Sequence, residues 1–482
     1  MKQLLQGSRI GKRQHIYCRS LMAWMLLWSM VTSAVQINPE GEGEVLIYPY
    51  YTVNNNLNTA YSLVNTTARP KVVKVSFREG QAGLMMLSFN VYLAAYDVWT
   101  GALGPTVSFL PGHNGEPSVI HVSGDSSCVP RVDKTGEKFV PSALDGDRVA
   151  SNKSLERART GYFEALELGE LTGEAAAHIS HNQSGIPNNC NAIGASWNTG
   201  SWQFDALNPP TGGLIGSAFI VNVAEGVSVS YDAIALQNFW EQDGQHTEPG
   251  SALPDLSSGT TQSRVLLTDG TLAVSDWGTG YEAVSALFMN TEVINEYALD
   301  TIVNGQTEWL LSFPTKHHHV VTNSGQPKPP FTHRWNGLTS CDEYTLDMFD
   351  REAQQETVST GGVGIRPPAP PNPQLCLVTN VLSFILPGSA AQAGSSRLLG
   401  ADPFYTLITP SIAHATENGW ARLDFMESNL MIPESGMGFR GLPVTGFAMH
   451  QYTNGGAGEG LLAQYGSLFM HKGRVDAIAT QN

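Results

Sequence analysis

The 482-residue sequence predicts a mainly β protein: two β-sandwich-like (immunoglobulin-like) domains with long loops and one or two short helices. Gly and Pro are frequent, at 49 and 27 residues. Only 15% of the residues are charged, against about 25% in a typical domain. Segments that alternate apolar and polar residues, or that are rich in β-branched and aromatic residues, recur along the chain. We therefore expect many strands joined by many turns.

The first 34 residues have the pattern of a secretory signal peptide. A basic segment precedes the apolar run "LMAWMLLWSMV" (21–31), and "TSA" (32–34) supplies a small-residue cleavage site. The apolar run is shorter than the roughly 20 residues that a membrane-spanning helix needs. We therefore expect export to the periplasm, the outer surface or the medium; the alternative is an uncleaved anchor.

Residues 35–241 are predicted to form the N-terminal β-sandwich domain. In "KVVKVSF" (71–77), the polar side chains of Lys74 and Ser76 alternate with apolar ones, which predicts one buried face and one solvent-exposed face. The other strand signals of this half are "EVLIYPYYTV" (44–53), "TAYSLVNTT" (59–67), "LMMLSFNVYLAAYDVWTG" (84–101) and a hairpin at 217–236.

The segment "QDGQHTEPGSALPDLSSGTTQS" (242–263) is polar and turn-rich, which is typical of a linker or a long loop. Residues 264–482 are then predicted to form the C-terminal β-sandwich domain. Its strand signals are "GYEAVSALFMNT" (280–291), "EWLLSFPTKHHHVV" (308–321), "CLVTNVLSFIL" (376–386) and "GWARLDFM" (419–426).

Two segments carry helical signals. Residues 151–171 are the stronger case, because Ser151 or Asn152 is suited to the N-cap position and Glu156 follows. Residues 341–356 are the second candidate. Neither changes the predicted fold class.

Four cysteines follow the predicted signal peptide, and an even number in an exported protein indicates disulfides. Three connectivities are possible. We favour Cys128–Cys190 and Cys341–Cys376, because each pair then lies on one side of the predicted domain boundary. A cysteine metal site is disfavoured, since no CxxC spacing occurs.

Without residues 1–34 the chain has 22 basic and 43 acidic residues, a net charge of −21. An acidic surface repels phosphate backbones, so we expect no nucleic-acid partner. No later apolar segment is long enough to cross a membrane. The expected partner is a cell-surface component, another protein or a polysaccharide, and the oligomeric state is left open.

Three consecutive histidines in "FPTKHHHVV" (313–321) suggest a metal site. In the predicted strand, His317 and His319 would share one face and His318 the other. The pair could bind zinc with a third ligand from elsewhere, and His333 is the nearest candidate. We favour the alternative, an edge strand whose exposed face carries polar rings.

A calcium site is the second metal hypothesis. Asp145 and Asp147 occupy alternate positions of "LDGDRVASN" (144–152), but the twelve-residue calcium-loop pattern is absent. A polar turn is the preferred interpretation, so no cofactor is expected beyond these two possible ions.

Loop aromatics provide the remaining candidate site, since such rings can stack on sugars or can cap a core. These are Trp197, Trp202, Trp277 and Trp335, in segments rich in Gly, Ser and Asn. No catalytic residues are predicted, because the sequence has neither a GxSxG nucleophile elbow nor a P-loop.

Several stretches together resemble a group of exported proteobacterial proteins that are usually described as hypothetical or cell-surface proteins. The resemblance rests on "EVLIYPYYTV", "NVYLAAYDVWTGAL", "VSALFMNTEVINEYALD", "SFPTKHHHV" and "LPVTGFAMHQYTNG". It covers most of the chain after residue 34. It implies export and an all-β scaffold, and it brings no activity and no catalytic residues.

The sequence therefore favours a secreted or cell-surface structural or adhesive protein without catalytic activity. The alternative is an exported protein that binds or hydrolyses polysaccharide through loop aromatics and paired carboxylates.

Overall fold

The computed structural model describes most of the chain from residue 34 onwards, and residues 34–482 form one compact unit. The predicted signal peptide lies outside the described residues except for Ala34, and it stays a prediction. The described residues are 34–200, 202, 207–241, 245–321, 325–356, 358–363, 373–386, 396–401, 405–410, 418–458 and 461–480.

Thirteen strands, all antiparallel, are described before residue 241, and they form two sheets. They are β1 Gln36–Ile37, β2 Val45–Thr52, β3 Leu57–Asn65, β4 Lys71–Glu79, β5 Met85–Leu93, β6 Val98–Val107, β7 Pro117–Val122, β8 Glu137–Lys138, β9 Thr160–Leu171, β10 Leu207–Asn208, β11 Leu214–Asn222, β12 Val227–Asp232 and β13 Ile234–Gln237. Sheet I has the order β1-β13-β2-β9-β4-β5, with β10 beside β9, and sheet II has the order β12-β11-β3-β6-β7-β8.

Sheets I and II pack face to face around an aromatic core. Tyr48 and Phe163 of sheet I stack with ring centroids 4.1 Å apart, and Tyr61 of sheet II meets Phe163 edge-on at 5.1 Å. Aromatic pairs in these geometries add stability beyond the area that they bury. The N-terminal half is thus a two-layer β-sandwich.

The described residues beyond 260 contain nineteen more strands, which form three further sheets and one short pair. They are β14 Gln262–Leu266, β15 Leu272–Asp276, β16 Met289–Asn290, β17 Glu292–Ala298, β18 Gln306–Ser312, β19 Asp342–Asp350, β20 Gln355–Glu356, β21 Val358–Val363, β22 Gln374–Leu375, β23 Thr379–Phe384, β24 Tyr405–Pro410, β25 Asn418–Phe425, β26 Leu430–Met431, β27 Ser435–Arg440, β28 Leu442–Pro443, β29 Phe447–Gly458, β30 Leu461–Met470, β31 Lys472–Arg474 and β32 Ala477–Ala479.

Sheet III has the order β14-β15-β27-β26 with β32 beside β27, and sheet IV has the order β20-β19-β25-β17-β31 with β22 beside β19. Sheet V has the order β21-β24-β23-β18-β29-β30, in which β23 and β24 are parallel; β16 pairs with β28 alone. Sheets IV and V form a second sandwich, whose core includes Tyr297 and Leu423 of sheet IV and Trp309 and Phe384 of sheet V. The mainly β fold with two sandwiches is confirmed.

The two sandwiches are joined by backbone and core contacts. The amides of Val378 and Thr379 donate to the carbonyls of Gln81 and Gly80, at 3.1 and 2.8 Å. Leu310 of sheet V is fully buried in the same core as sheets I and II. Each sheet nevertheless draws its strands from only one half of the chain. Residues 245–261 form a long loop, and the domain boundary at 242–263 stays a prediction.

Five short α-helices lie among the described residues, more than the one or two predicted. They are α1 Ser142–Gly146, α2 Gly173–Ile179, α3 Cys190–Thr199, α4 Gly280–Phe288 and α5 Lys316–Val320. The strand predicted at 280–291 is mostly α4, since Ala283, Ala286 and Leu287 are strong helix formers.

Both predicted helices are wrong. Residues 151–171 contain a 3₁₀ helix, Leu155–Arg159, followed by β9, and residues 341–356 contain β19. The acidic residues of β9, spaced three apart from Glu164, imitate the polar stripe of a helix. They lie on a strand because each is buried against a basic partner.

The predicted exposed face of "KVVKVSF" is also wrong, because every residue of β4 is buried. Lys74 donates to the Pro254 carbonyl at 2.8 Å. Arg78 contacts Glu164 and Asp255, each at 3.1 Å. The loop 245–261 therefore covers the polar face of sheet I, and paired charges take the place of solvent.

The structure pairs Cys128 with Cys190 and Cys341 with Cys376, the connectivity that we favoured. The first bridge joins the edge of sheet I, where Cys128 pairs with Tyr92, to the start of α3. No helix of the described residues is long and apolar enough to cross a membrane.

Candidate functional site

The histidine triplet lies in helix α5, not in a strand as predicted. Strand β18 ends at Ser312, and Pro314 follows within two residues. Proline has no N–H to donate to a sheet ladder, which ends the strand before the histidines. The amide of His318 donates instead to the Thr315 carbonyl at 3.1 Å.

The three histidine side chains contact residues from both halves of the chain. His317 Nδ1 donates to the Ala82 carbonyl at 2.8 Å. The His318 ring stacks on Tyr281 at 5.2 Å between centroids, with Nε2 3.8 Å from Asp255. His319 is fully buried, and burial lowers its pKa to about 3. The triplet joins α5 to its surroundings with neutral rings at pH 7.

The zinc site predicted from His317, His319 and His333 is not formed. His319 Nε2 lies 2.9 Å from Ser285 Oγ, whereas His333 is exposed with Nδ1 3.0 Å from Thr332 Oγ1. Within the part of the chain that the structure describes, no three His, Cys, Asp or Glu side chains are grouped to hold a metal ion. His317 Nδ1, His319 Nε2 and His333 Nδ1 each have a hydrogen-bond partner within the protein instead.

The predicted calcium ligands are also used by the protein itself. Asp145 accepts a hydrogen bond from His113 Nε2 at 3.2 Å. Asp147 accepts from the Val149 amide at 3.0 Å through one carboxylate oxygen and from the Trp335 indole at 3.1 Å through the other. The Asp147 carboxylate therefore links residues 147–150 to Trp335 in the second half of the chain. Asp145 and Asp147 thus belong to a polar turn whose carboxylates are bonded to the protein.

Two of the four predicted sugar-stacking tryptophans are core residues. Trp277 is 4% exposed and donates to Ser263 Oγ at 2.8 Å, and Trp335 is 2% exposed. Both rings pack beneath loops whose Gly, Ser and Asn content suggested exposure. A stacking role for them is therefore wrong.

Trp197 and Trp202 do come together, in a half-buried aromatic cluster with Tyr92 and His246. The two indole rings lie 5.5 Å apart, and His246 meets Trp202 edge-on at 4.5 Å. Trp197 Nε1 donates to the Tyr92 hydroxyl at 2.8 Å. These rings pack against one another beside the Cys128–Cys190 bridge, where they cover the end of sheet I.

The best candidate site is a cleft of about 630 Å³ on the face of sheet II that points away from the core. We name it the sheet II cleft. Its volume lies within the range of about 300–1,000 Å³ that is common for ligand pockets. Its lining comprises Ala60, Tyr61, Ser62, Thr100, Gly101, Ala102, Val122, Ser123, Gly124, Lys134, Thr135, Ser217 and Phe219.

One row of side chains across the cleft is apolar, and it follows from the strand register. Ala102 of β6 is opposite Val122 of β7 and Ala60 of β3, and Ala60 is opposite Phe219 of β11. Phe219 is 45% exposed, so its ring forms a wall above a floor of alanines. Small floor residues between two larger ones give the cleft its depth.

The next row, two residues along each strand, carries hydroxyl groups. Ser62 is opposite Thr100 and Ser217, and Ser217 is opposite Asp232 of β12. The Ser62 and Ser217 hydroxyls lie 3.1 Å apart. The face of sheet II thus presents an apolar row beside a row of neutral hydrogen-bonding groups.

The far wall of the cleft is a loop that the protein holds in place. Ser123 Oγ donates to the Thr100 carbonyl at 2.7 Å. Lys134 Nζ donates to the carbonyls of Asp125 and Ser127, at 2.7 and 3.1 Å. The ammonium group of Lys134 is therefore occupied by hydrogen bonds to the loop. The wall of the cleft is preformed in the absence of a ligand.

A buried polar chain supports the cleft from below. The Tyr61 hydroxyl lies 2.9 Å from both Trp99 Nε1 and His121 Nε2. Burial lowers the pKa of His121 to about 4, so the ring is neutral at pH 7. Gly101 makes room for this chain, because a Cβ there would lie 2.6 Å from His121 Nε2.

The sequence did not reveal this cleft, although alternate small residues in "TAYSLV" and "VWTGAL" are its local signal. Three smaller cavities of about 400, 230 and 110 Å³ are also described. Comparisons with protein-family models, with curated proteins and with solved structures found no match.

Proposed function

We propose that the protein is an exported adhesive protein that binds a cell-surface component through the sheet II cleft. One observation carries the proposal: the open face of sheet II is concave, walled by the half-exposed Phe219 and a braced loop, and floored by small neutral side chains. A preformed concave surface is the usual form of a ligand site.

The rest of the molecule suits a binding scaffold that works outside the cell. Two disulfides close chain segments of 62 and 35 residues, and such bonds persist in oxidising compartments. Hydrogen bonds and shared core residues join the two sandwiches, so the cleft belongs to one compact unit. These features support export together with the signal peptide pattern of residues 1–34.

Polysaccharide hydrolysis is the alternative that the sequence left open. It requires two carboxylates about 5–10 Å apart across a bound sugar chain. The charged side chain of the cleft lining is Lys134, and its ammonium group is bound to loop carbonyls. Hydroxyl and apolar groups favour binding over acid–base chemistry at this site.

The test is binding of the mature protein, recovered from the periplasm or medium of expressing cells, to intact cells of the source organism. We expect its N-terminus at Val35 and saturable binding. Ala60→Trp should weaken binding more than about tenfold, because an indole ring on the alanine floor would fill the cleft and leave no room for the ligand.

The matched control is Ser228→Trp, which places the same ring on the same face of sheet II at an exposed residue outside the cleft lining. It should bind as the wild type does. Equal loss in both variants, or no binding by the wild type, would contradict the proposal. Thermal unfolding of each variant shows whether the fold is kept.

A further inference from the structure

We infer that the ligand of the sheet II cleft is a neutral polysaccharide, with the Phe219 ring stacked on a sugar face. This inference rests on the proposed function and specifies its target. Three features of the cleft support it: the order of its rows, its charge and the exposure of Phe219.

The order of the rows matches the chemistry of a sugar ring. A pyranose presents C–H groups on its faces and hydroxyls around its edge. The row of Val122, Ala102, Ala60 and Phe219 offers apolar contact, and the adjacent row of Thr100, Ser62 and Ser217 offers groups that both donate and accept hydrogen bonds. A sugar that lies across both rows can place its C–H face on the apolar row and its hydroxyls beside the hydroxyl row.

The charge of the protein and of the cleft argues against polyanions and polycations as ligands. Without residues 1–34 the chain carries a net charge of −21, which repels a polyanion such as an acidic polysaccharide. Lys134 could attract one, but its Nζ is held by two carbonyls. A polycation would need carboxylates along the floor. Asp232 and Asp125 lie only at the two ends of the hydroxyl row, and Asp125 accepts hydrogen bonds from the amides of Thr100 and Ser127. The cleft therefore matches an uncharged chain.

Phe219 has the exposure that a stacking ring requires. Its strand alternates buried and accessible residues, and Phe219 is on the accessible side with 45% of its surface free. Exposing a large aromatic side chain has a solvation cost, and binding surfaces are where such rings are commonly found. Its neighbours Ala60 and Ser217 are too small to cover the ring.

The experiment measures competition for the cell binding described above. Surface polysaccharide from the same cells is separated into neutral and acidic fractions by anion exchange. We expect the neutral fraction to compete and the acidic fraction not to compete. Periodate, which cleaves vicinal diols of sugars, should abolish binding to the cells, and protease treatment should leave it.

Variants at residue 219 test the ring itself. Phe219→Ala should weaken binding to the neutral fraction about tenfold, and Phe219→Trp should restore it. The control is Phe469→Ala on β30, since Phe469 is also 45% exposed but lies in the other sandwich. That variant should bind normally.

The outcomes separate the inference from the proposed function. Cell binding that survives periodate and is lost after protease treatment would overturn the polysaccharide but keep the adhesive protein. Competition by the acidic fraction alone would overturn the neutral ligand. Absence of cell binding would remove the proposed function itself. Unchanged binding of Phe219→Ala would overturn the stacking role.

Discussion

Two pairs of serines show how differently the two sheets of the N-terminal sandwich are used. Ser76 and Ser88 face each other across sheet I with hydroxyls 3.2 Å apart, and Ser62 and Ser217 do so across sheet II at 3.1 Å. The first pair is buried and the second is partly exposed. The same local pattern therefore occurs on a covered face and on an open one.

The difference lies in what packs against each sheet. The outer face of sheet I is covered by loop 245–261 at Lys74 and Arg78 and by helix α4 at Val45 and Ile47, so its charged side chains are buried. The outer face of sheet II keeps contact with solvent and carries small neutral side chains. The alternation of residue types along a strand shows which side chains share a face of the sheet. Whether the second face is buried depends on residues far away in the sequence that pack against it.

The largest expected effect comes from breaking the charge network of sheet I. Arg78→Met leaves Glu164 and Asp255 buried without the guanidinium that contacts both. We expect the free energy of unfolding to fall by about 3–5 kcal/mol, as is usual when one partner of a buried ion pair is removed. Urea unfolding followed by circular dichroism measures it.

The control for Arg78→Met is Arg422→Met on sheet IV. Arg422 bonds Asp347 at 2.8 Å and Asp424 at 2.9 Å, but its side chain is 37% exposed. Water can replace those partners, so a loss of at most about 1 kcal/mol is expected. Equal losses in the two variants would contradict the view that burial sets the cost.

Strands were the part of the fold that the sequence predicted best. The β-rich segments at 44–53, 59–67 and 71–80 all lie in strands, because a pleated backbone needs only local residue preferences. The burial of Lys74 and Ser76 could not be predicted, since their cover comes from a loop about 170 residues later. Pro314 was the available signal that the strand before the histidines ends.

The candidate site was beyond the reach of the sequence for the same reason. Its apolar row joins Val122, Ala60 and Phe219, which come from separate strands, and register alone makes them neighbours. The tryptophans misled because aromatic residues between Gly and Ser can be buried under their own loops, as Trp277 and Trp335 are.

A second prediction concerns acid, through the fully buried His319. Its folded pKa of about 3 is lower than its unfolded value, so its contribution is complete above about pH 6.5 and is lost as the pH falls toward 3. At pH 5 the loss from this residue should be about 2 kcal/mol. The measurement is the free energy of unfolding between pH 8 and 5.

His319→Phe should make the free energy of unfolding less dependent on pH, because Phe cannot titrate. The number of protons taken up on unfolding should fall by about one. The groups around the ring are the hydroxyls of Ser285 and Thr315 and the rings of Tyr281 and Phe331, together with the charged Lys328 and the neighbouring His318. The pKa of Lys328 is raised, so it stays charged in this range, and His318 is present in both proteins, so the difference between them reports His319. His333→Phe is the control, since His333 is exposed. The same slope in wild type and His319→Phe would contradict the assignment.

The smallest expected effect uses the serine pairs themselves. Ser76→Ala removes one hydroxyl of the buried pair and leaves Ser88 without that partner, which should cost about 1–2 kcal/mol. Ser62→Ala on the open face should change stability by less than about 0.5 kcal/mol, because water reaches the Ser217 hydroxyl. Thermal and urea unfolding of the two variants side by side give the difference.

Equal costs would mean that the face of sheet II is covered in solution, for instance by a second copy of the chain. The sheet II cleft would then be closed to any ligand. A near-zero cost for Ser62→Ala, together with weaker binding to cells, would instead place the contribution of this hydroxyl in binding and not in folding.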